Sequence, residues 1–426
     1  MRSSVLRSGA LLTGGNIAAG VFSYGFVIIA ARGLGPDQFG SLGVLLTFLY
    51  FASSLVQGVA TIVSRYAAVV GEDDREELTD LVRSSAFTVG AYSLAALLIY
   101  IALSPLINAE LSIGSIGAVI VIGIVSVMRA VGAVLRGAVE GLLRFATSAA
   151  SYTLEAITRF GLGLLLMAIG FSLLNATLVF AISSILLLAI PALALPVDWR
   201  SVFSHRPRRS DLTVTGQAYA VGGAFLLIAV LSQLDMVAAK YFLSAEVAGY
   251  YAAASNLIRA PFLMLAGGFA SAMFPSVVQA GTRTPHGLRL LTVTAGAVLA
   301  GIVVVTTACY LAPRMIVGLL LGDEFLPLAQ WLGIFAAGSS LPALLTVVTR
   351  FHMAQHSPLL VWSLGAGCAL SIISLVVLHD SPLHMILGSA LGSLIPLVPL
   401  SASVIHSTGN TESDAGGSSQ SDELQK

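Results

Sequence analysis

Charge is what this sequence has least of. Only 10% of its 426 residues are Asp, Glu, Lys or Arg, where an ordinary soluble domain carries about 25%. With 57% hydrophobic residues and a mean hydropathy of +0.92, a soluble globular domain is excluded and a polytopic membrane protein is indicated. Lysine is almost missing, with Lys240 and Lys426 the only two, so nearly every cation is an arginine. The 21 basic and 21 acidic residues cancel, which gives no basic surface for nucleic acid. Cysteine is limited to Cys309 and Cys368; both sit in apolar runs, so a disulfide framework and a cysteine metal site are excluded, and both read as packing residues. His352 and His356 stand i,i+4 without a third ligand, so no metal site and no cofactor are expected. A phosphate-binding Gly-rich loop ending in Lys-Ser/Thr is missing, as is room for a nucleotide-binding domain, which excludes ATP hydrolysis by this chain. No clean small-residue cleavage site follows the first apolar segment, so that segment is expected to be a retained helix.

Long apolar runs are what the sequence does have. A bilayer core takes roughly 20 apolar residues per helix, and that ruler finds 9–31, 41–69, 84–104, 112–135, 147–169, 173–196, 213–239, 248–279, 288–311, 325–348, 358–378 and 383–405. Twelve spans put both termini on one side of the cell membrane. Arginine distribution selects the side: Arg2, Arg7, Arg75, Arg83, Arg136, Arg144, Arg200, Arg206, Arg208, Arg209, Arg283, Arg289 and Arg350 fall in connections that share the N-terminus, against Arg32, Lys240 and Arg314 opposite. Both termini are therefore expected to be cytoplasmic. The acidic stretch "GEDDREELTD" reads as solvated surface, and the tail 407–426 has too few apolar residues to offset its ordering entropy and is expected to be disordered. "NAT" at 175–177 matches a glycosylation acceptor, but its loop is short and close to the membrane, so its use is not expected.

The chain repeats itself. "AARGLGPDQFGSL" at 30–42 matches "AAKYFLSAEVAGYY" at 238–251: each leaves a helix with Ala-Ala-Arg/Lys, crosses a short loop and re-enters at Gly40 or Gly249. Pro105 aligns with Pro313 at the offset that aligns Arg32 with Lys240. The fold class expected is therefore all-α integral membrane, with six-helix lobes at 1–200 and 213–406 in parallel orientation, joined by a basic cytoplasmic linker at 201–212. Such parallel repeats are a transporter architecture.

Five blocks carry a resemblance: "ARGLGPDQFGSL" with "VSRYAA", "LRGAVEGLLRFATSAA", "SQLDMVAAKYFLSAEVAGYYAAASNLIRAP", "SAMFPSVV" and "GLLLGDEFLPLAQWLGIFA". In this order the chain resembles the polysaccharide transporter or oligosaccharide flippase group of the multidrug/oligosaccharidyl-lipid/polysaccharide exporter superfamily. The resemblance implies a two-lobed flippase that carries a polyprenyl-linked saccharide to the outer leaflet, with a cavity lined by the first, second, seventh and eighth spans. It implies a lipid-linked oligosaccharide, membrane lipid and polysaccharide-assembly proteins as partners. An ion-coupled multidrug exporter of the same superfamily is the alternative. A membrane glycosyltransferase or polysaccharide polymerase, the alternative of another class, would want carboxylates clustered in a sizeable outer loop, and the outer connections here are short and poor in them.

A phosphate-linked head group calls for arginine, whose rigid fork stays charged and binds bidentately. Arg259 lies deep in the eighth span, and Asp235 in the seventh is within its reach. Two readings stand: Asp235 neutralises Arg259 and fixes the hairpin, or it is a protonation or cation-coupling site while Arg259 contacts the anionic linkage. Asn256, three residues before Arg259, is expected on the same helix face. Glu155 and Arg159 are spaced i,i+4 with the acid first, the favourable order for an ion pair, and a cavity role is open beside it. Arg65 either snorkels to the interface or contacts head groups. Asn16 and Gln57 are candidate hydroxyl binders, with helix-to-helix hydrogen bonding equally open.

Overall fold

The computed structural model describes the backbone of residues 2–71, 74–200, 213–280, 284–353 and 358–423. Side chains of 1–13, 16, 201–221, parts of 271–283, 354–358 and 405–426 are outside the described set. The expected linker 201–212, the side chain of Asn16, His356 and the side chains of the tail 407–426 therefore lie outside the described residues.

Among the described residues every regular element is helical. The helices are α1 (Arg2–Val70), α2 (Arg75–Glu110), α3 (Ile116–Gly141), α4 (Phe145–Ile169), α5 (Leu173–Ala194), α6 (Thr213–Phe242), α7 (Ala245–Ala254), α8 (Ala260–Ala280), α9 (Pro285–Leu311), α10 (Pro313–Leu320), α11 (Leu332–Met353), α12 (Pro358–Val377) and α13 (Pro382–Glu423). A π-turn, Ser255–Arg259, joins α7 to α8, and a 3₁₀ segment, Asp323–Gln330, precedes α11. The boundaries are written in the sequence as capping residues. Asp74, Ser115, Ser172, Ser244 and Thr284 each accept a hydrogen bond from the backbone N–H three residues on, which satisfies one of the donors a helix start leaves open.

Among the described residues ten helical segments are long and apolar enough to cross a membrane, and the protein is multi-pass. The difference from twelve arises at two places. Expected spans 9–31 and 41–69 fall on one element, α1, which breaks only at Gly35 (φ 68°, ψ 173°). A left-handed φ of this kind favours glycine, and the following Pro36 disfavours a helical residue before it. The loop expected there is thus reduced to one non-helical residue. Expected span 248–279 is divided among α7, the π-turn and α8. The solvent these helices require is visible on α2, where only 6% of the most apolar window is buried. Its Leu98, Ile99, Leu103 and Leu106 point outward, a surface that water would not tolerate at this extent.

The chain forms two compact units. Unit 1 comprises Met1–Ala229, Met236–Asn256 and Val317–Leu328. In it α1 packs against α3, α4 and α7, and α3 against α2 and α5. Small residues allow this: a Cβ on Gly249 would stand 1.9 Å from the Pro36 carbonyl oxygen, and one on Gly40 would stand 2.8 Å from the Gly249 nitrogen. Lipid tails give helices no hydrophobic reason to associate, so such close backbone contact supplies the packing energy. Unit 2 comprises Val230–Asp235, Leu257–Ile316 and Ala329–Lys426. There α11 packs against α8, α9 and α13, and α12 against α13.

Candidate functional site

Unit 1 carries a polar seam between α3 and α4, in segments otherwise apolar enough to cross a membrane. Glu155 on α4 is its centre. Its Oε1 accepts a hydrogen bond from Arg129 Nη2 of α3 at 2.6 Å and forms an ion pair with Arg159, one turn along its own helix. The Arg159 guanidinium lies over the Phe180 ring at 4.5 Å and reaches Ser23 Oγ of α1 at 3.4 Å. Glu155 and Arg159 are buried, and Arg129 is the more exposed end. Two cations thus share one carboxylate. In a low-dielectric setting such an excess charge is costly unless an anion completes it. Donors remain for one: Arg129 Nε and Arg159 Nε are buried without a hydrogen-bond acceptor.

The seam continues along the same faces. Arg136, seven residues beyond Arg129 on α3, stacks on Tyr152 of α4, its guanidinium carbon 4.6 Å from the ring centre. Further on, Ser148 of α4 donates to Glu140 of α3 at 2.5 Å. On a helix, residues seven apart share a face, so Arg129 and Arg136 on one side meet Tyr152, Glu155 and Arg159 on the other.

Unit 2 holds a closed ion pair. Arg259 Nη1 and Nη2 donate to Asp235 Oδ1 and Oδ2 at 2.6 and 2.5 Å, and Nη1 also donates to the Ser232 carbonyl at 2.8 Å. Phe335 of α11 covers the guanidinium, with its ring centre 5.0 Å away. Arg259 is 2% exposed. The π-turn that presents it has a local cause. Pro261 has no N–H to give the Leu257 carbonyl, and its ring crowds that oxygen, so the hydrogen-bond ladder slips by one residue at "SNLIRAP". Widened turns of this type recur at functional positions.

Against the sequence reading, the structure joins Asp235 to Arg259 and Glu155 to Arg159. It does not place Asn256 with them: the Asn256 amide donates to the Ala252 carbonyl of its own helix at 2.9 Å. Arg65 and Gln57 are exposed on α1. Arg129, which the sequence reading passed over, is a full member of the triad. The signal was there, an arginine in the middle of an apolar span. Arg136, assigned to a connection, lies inside α3, because the helix runs through Gly137, Ala138 and Val139 to Gly141.

Comparison with known proteins fixes the family. The profile of the family described as polysaccharide biosynthesis protein matches residues 5–280, more than half of the chain. This chain belongs to the polysaccharide biosynthesis protein family. No curated protein matches it by sequence. Among solved structures, a lipid II flippase MurJ in an inward closed conformation is similar at 13% identity and a TM-score of 0.70, over 93% of this chain and 87% of the flippase. An inward-facing multidrug resistance MATE family transporter matches at 12% identity and a TM-score of 0.70, over 94% of this chain and 99% of that one. A transporter of the same superfamily from Pyrococcus furiosus matches at 14% identity and a TM-score of 0.63, over 95% and 96% of the two chains. These likenesses give this polysaccharide biosynthesis protein the fold of that exporter superfamily.

Proposed function

We propose that the protein is a flippase that moves a polyprenyl-(di)phosphate-linked oligosaccharide from the cytoplasmic to the outer leaflet by alternating access. The observation that carries this reading is the Arg129–Glu155–Arg159 triad, a membrane-buried site with more guanidinium than carboxylate and with N–H donors unspent. A phosphate competes with Glu155 for the same forks, whose geometry suits it. When the head group leaves, Glu155 takes the donors back, so neither guanidinium is left uncompensated in the membrane. Glu155 is in this sense a resident stand-in for the substrate's anion.

Alternating access by two six-helix halves is supported by the repeat. Gly40 and Gly249, the residues at which the repeats re-enter, stand backbone to backbone, a close approach that a two-fold relation between the repeats allows. Cytoplasmic termini follow from the arginine asymmetry. The site residues expected from sequence divide under this reading. Arg159 and Glu155 belong to the head-group site, Arg65 and Gln57 flank the path as weaker contacts, and Arg259 with Asp235 is a fixed pair.

The rival is an ion-coupled exporter of amphiphilic cations, a reading that rests on the fold shared with a multidrug transporter. A chromosomal deletion separates the two. The flippase reading expects lipid-linked saccharide to accumulate in the inner leaflet and tolerance to toxic cations to stay unchanged. A strain that becomes sensitive to toxic cations while lipid-linked saccharide stays at its normal level would establish the exporter instead.

A further inference from the structure

We propose that Arg136 and Tyr152 form a second phosphate-binding station in unit 1, about 10 Å along α3 from Arg129 at 1.5 Å per residue. The identity of its ligand rests on the flippase reading; the site itself does not. Arg129, Arg159 and Arg259 each contact a carboxylate. Arg136 forms no ion pair among the described residues, yet it is only 8% exposed, and its Nη1 is buried without an acceptor. Glu140, one turn on and the nearest acid along the helix, is engaged by the Ser148 hydroxyl. The Tyr152 ring holds the guanidinium plane by stacking, which fixes the fork's direction without consuming its N–H donors. Gly132, one turn before Arg136, lets the fork lie close along the helix: a Cβ there would stand 3.5 Å from Nη1 and 3.2 Å from the Leu187 carbonyl oxygen. A charged donor that is buried, oriented and unspent is costly to keep unless an anion visits it.

The ligand chemistry is a phosphate carried on a lipid. Arg136 lies five residues before the last residue of α3, Gly141, and Arg129 twelve, so a head group entering at that end meets Arg136 before the triad. Two stations separated by two helical turns let the phosphate pass between guanidiniums without crossing the apolar interval uncompensated.

The test is equilibrium binding to the full-length protein in neutral-lipid nanodiscs, with polyprenyl diphosphate in one arm and phosphatidylglycerol in the other. Arg136→Gln is expected to weaken binding about tenfold or more, and Arg136→Lys to restore it in part, since the charge returns without the planar fork. Tyr152→Leu, which keeps the arginine and removes its stack, is expected to weaken binding severalfold and serves if Arg136→Gln does not fold. Loss confined to polyprenyl diphosphate assigns the station to the transported lipid, and loss confined to phosphatidylglycerol assigns it to bilayer lipid; either supports the station. Undiminished binding of both lipids by folded Arg136→Gln, or by Tyr152→Leu where that variant must serve, overturns it. The two proposals fail separately. A wild-type protein that does not flip saccharide lipid but loses phosphate binding in Arg136→Gln keeps the station and loses the flippase reading; a flipping protein with undiminished binding in Arg136→Gln does the reverse.

Discussion

Arg159→Ala is expected to abolish flipping in a protein that remains folded. The asymmetry comes from the charge count in the triad. Removing Arg159 leaves Glu155 paired with Arg129 at 2.6 Å, a balanced one-to-one pair, so the large penalty of an orphaned buried charge does not arise. What is lost is a charge-assisted fork for the phosphate. At roughly 2–3 kcal/mol for such a contact, the transport rate falls about a hundredfold. Arg159→Lys recovers part of the rate, because charge persists while bidentate geometry is lost. The check is the flipping rate in liposomes beside the size-exclusion profile in detergent. A folded Arg159→Ala at the wild-type rate removes Arg159 from the head-group site.

The opposite pattern is expected in unit 2. Asp235 and Arg259 satisfy each other bidentately and are buried, so deleting either partner strands a charge at a cost of about 3–5 kcal/mol. Asp235→Leu and Arg259→Met should each lower the melting temperature sharply and reduce folded yield. The double variant should recover most of that loss, since a buried pair replaced by apolar residues of similar volume is often close to neutral. A double-mutant cycle read by thermal unfolding in detergent measures the coupling. If both single variants melt with the wild type and Arg259→Met stops flipping, Arg259 contacts the head group, and the pair is the transport site rather than a staple.

What the sequence disclosed depended on how local the controlling physics is. Apolar runs and capping residues are local, and the all-helical membrane architecture follows from them directly. Glu155 with Arg159 was legible because an i,i+4 pair closes on its own helix. Asp235 with Arg259 was legible because a short connection brings the two depths together. Arg129 reaches Glu155 from another helix, 26 residues away in sequence, and only packing of α3 on α4 makes them neighbours. Asn256 was misplaced for a different reason. A 3.6-residue period puts it beside Arg259, but Pro261 disturbs the ladder, and a π-turn occupies that stretch. Arg136 shows the limit of a hydropathy ruler, which closes the span at 135, one residue before it. The helix goes on through small residues whose close packing, with a Gly137 Cβ only 2.5 Å from the Ala60 carbonyl oxygen, is a tertiary matter.

The central claim is that this chain alone moves a phosphate-linked saccharide lipid across a bilayer. The direct measurement is the appearance of a labelled polyprenyl-diphosphate oligosaccharide in the opposite leaflet of sealed liposomes containing the purified protein. The label is read by a membrane-impermeant quencher, with no nucleotide present. The account predicts label exchange well above that of protein-free vesicles, and exchange near that background for Arg159→Ala. Exchange no faster than in protein-free vesicles, or exchange that requires ATP hydrolysis by the purified chain, contradicts it.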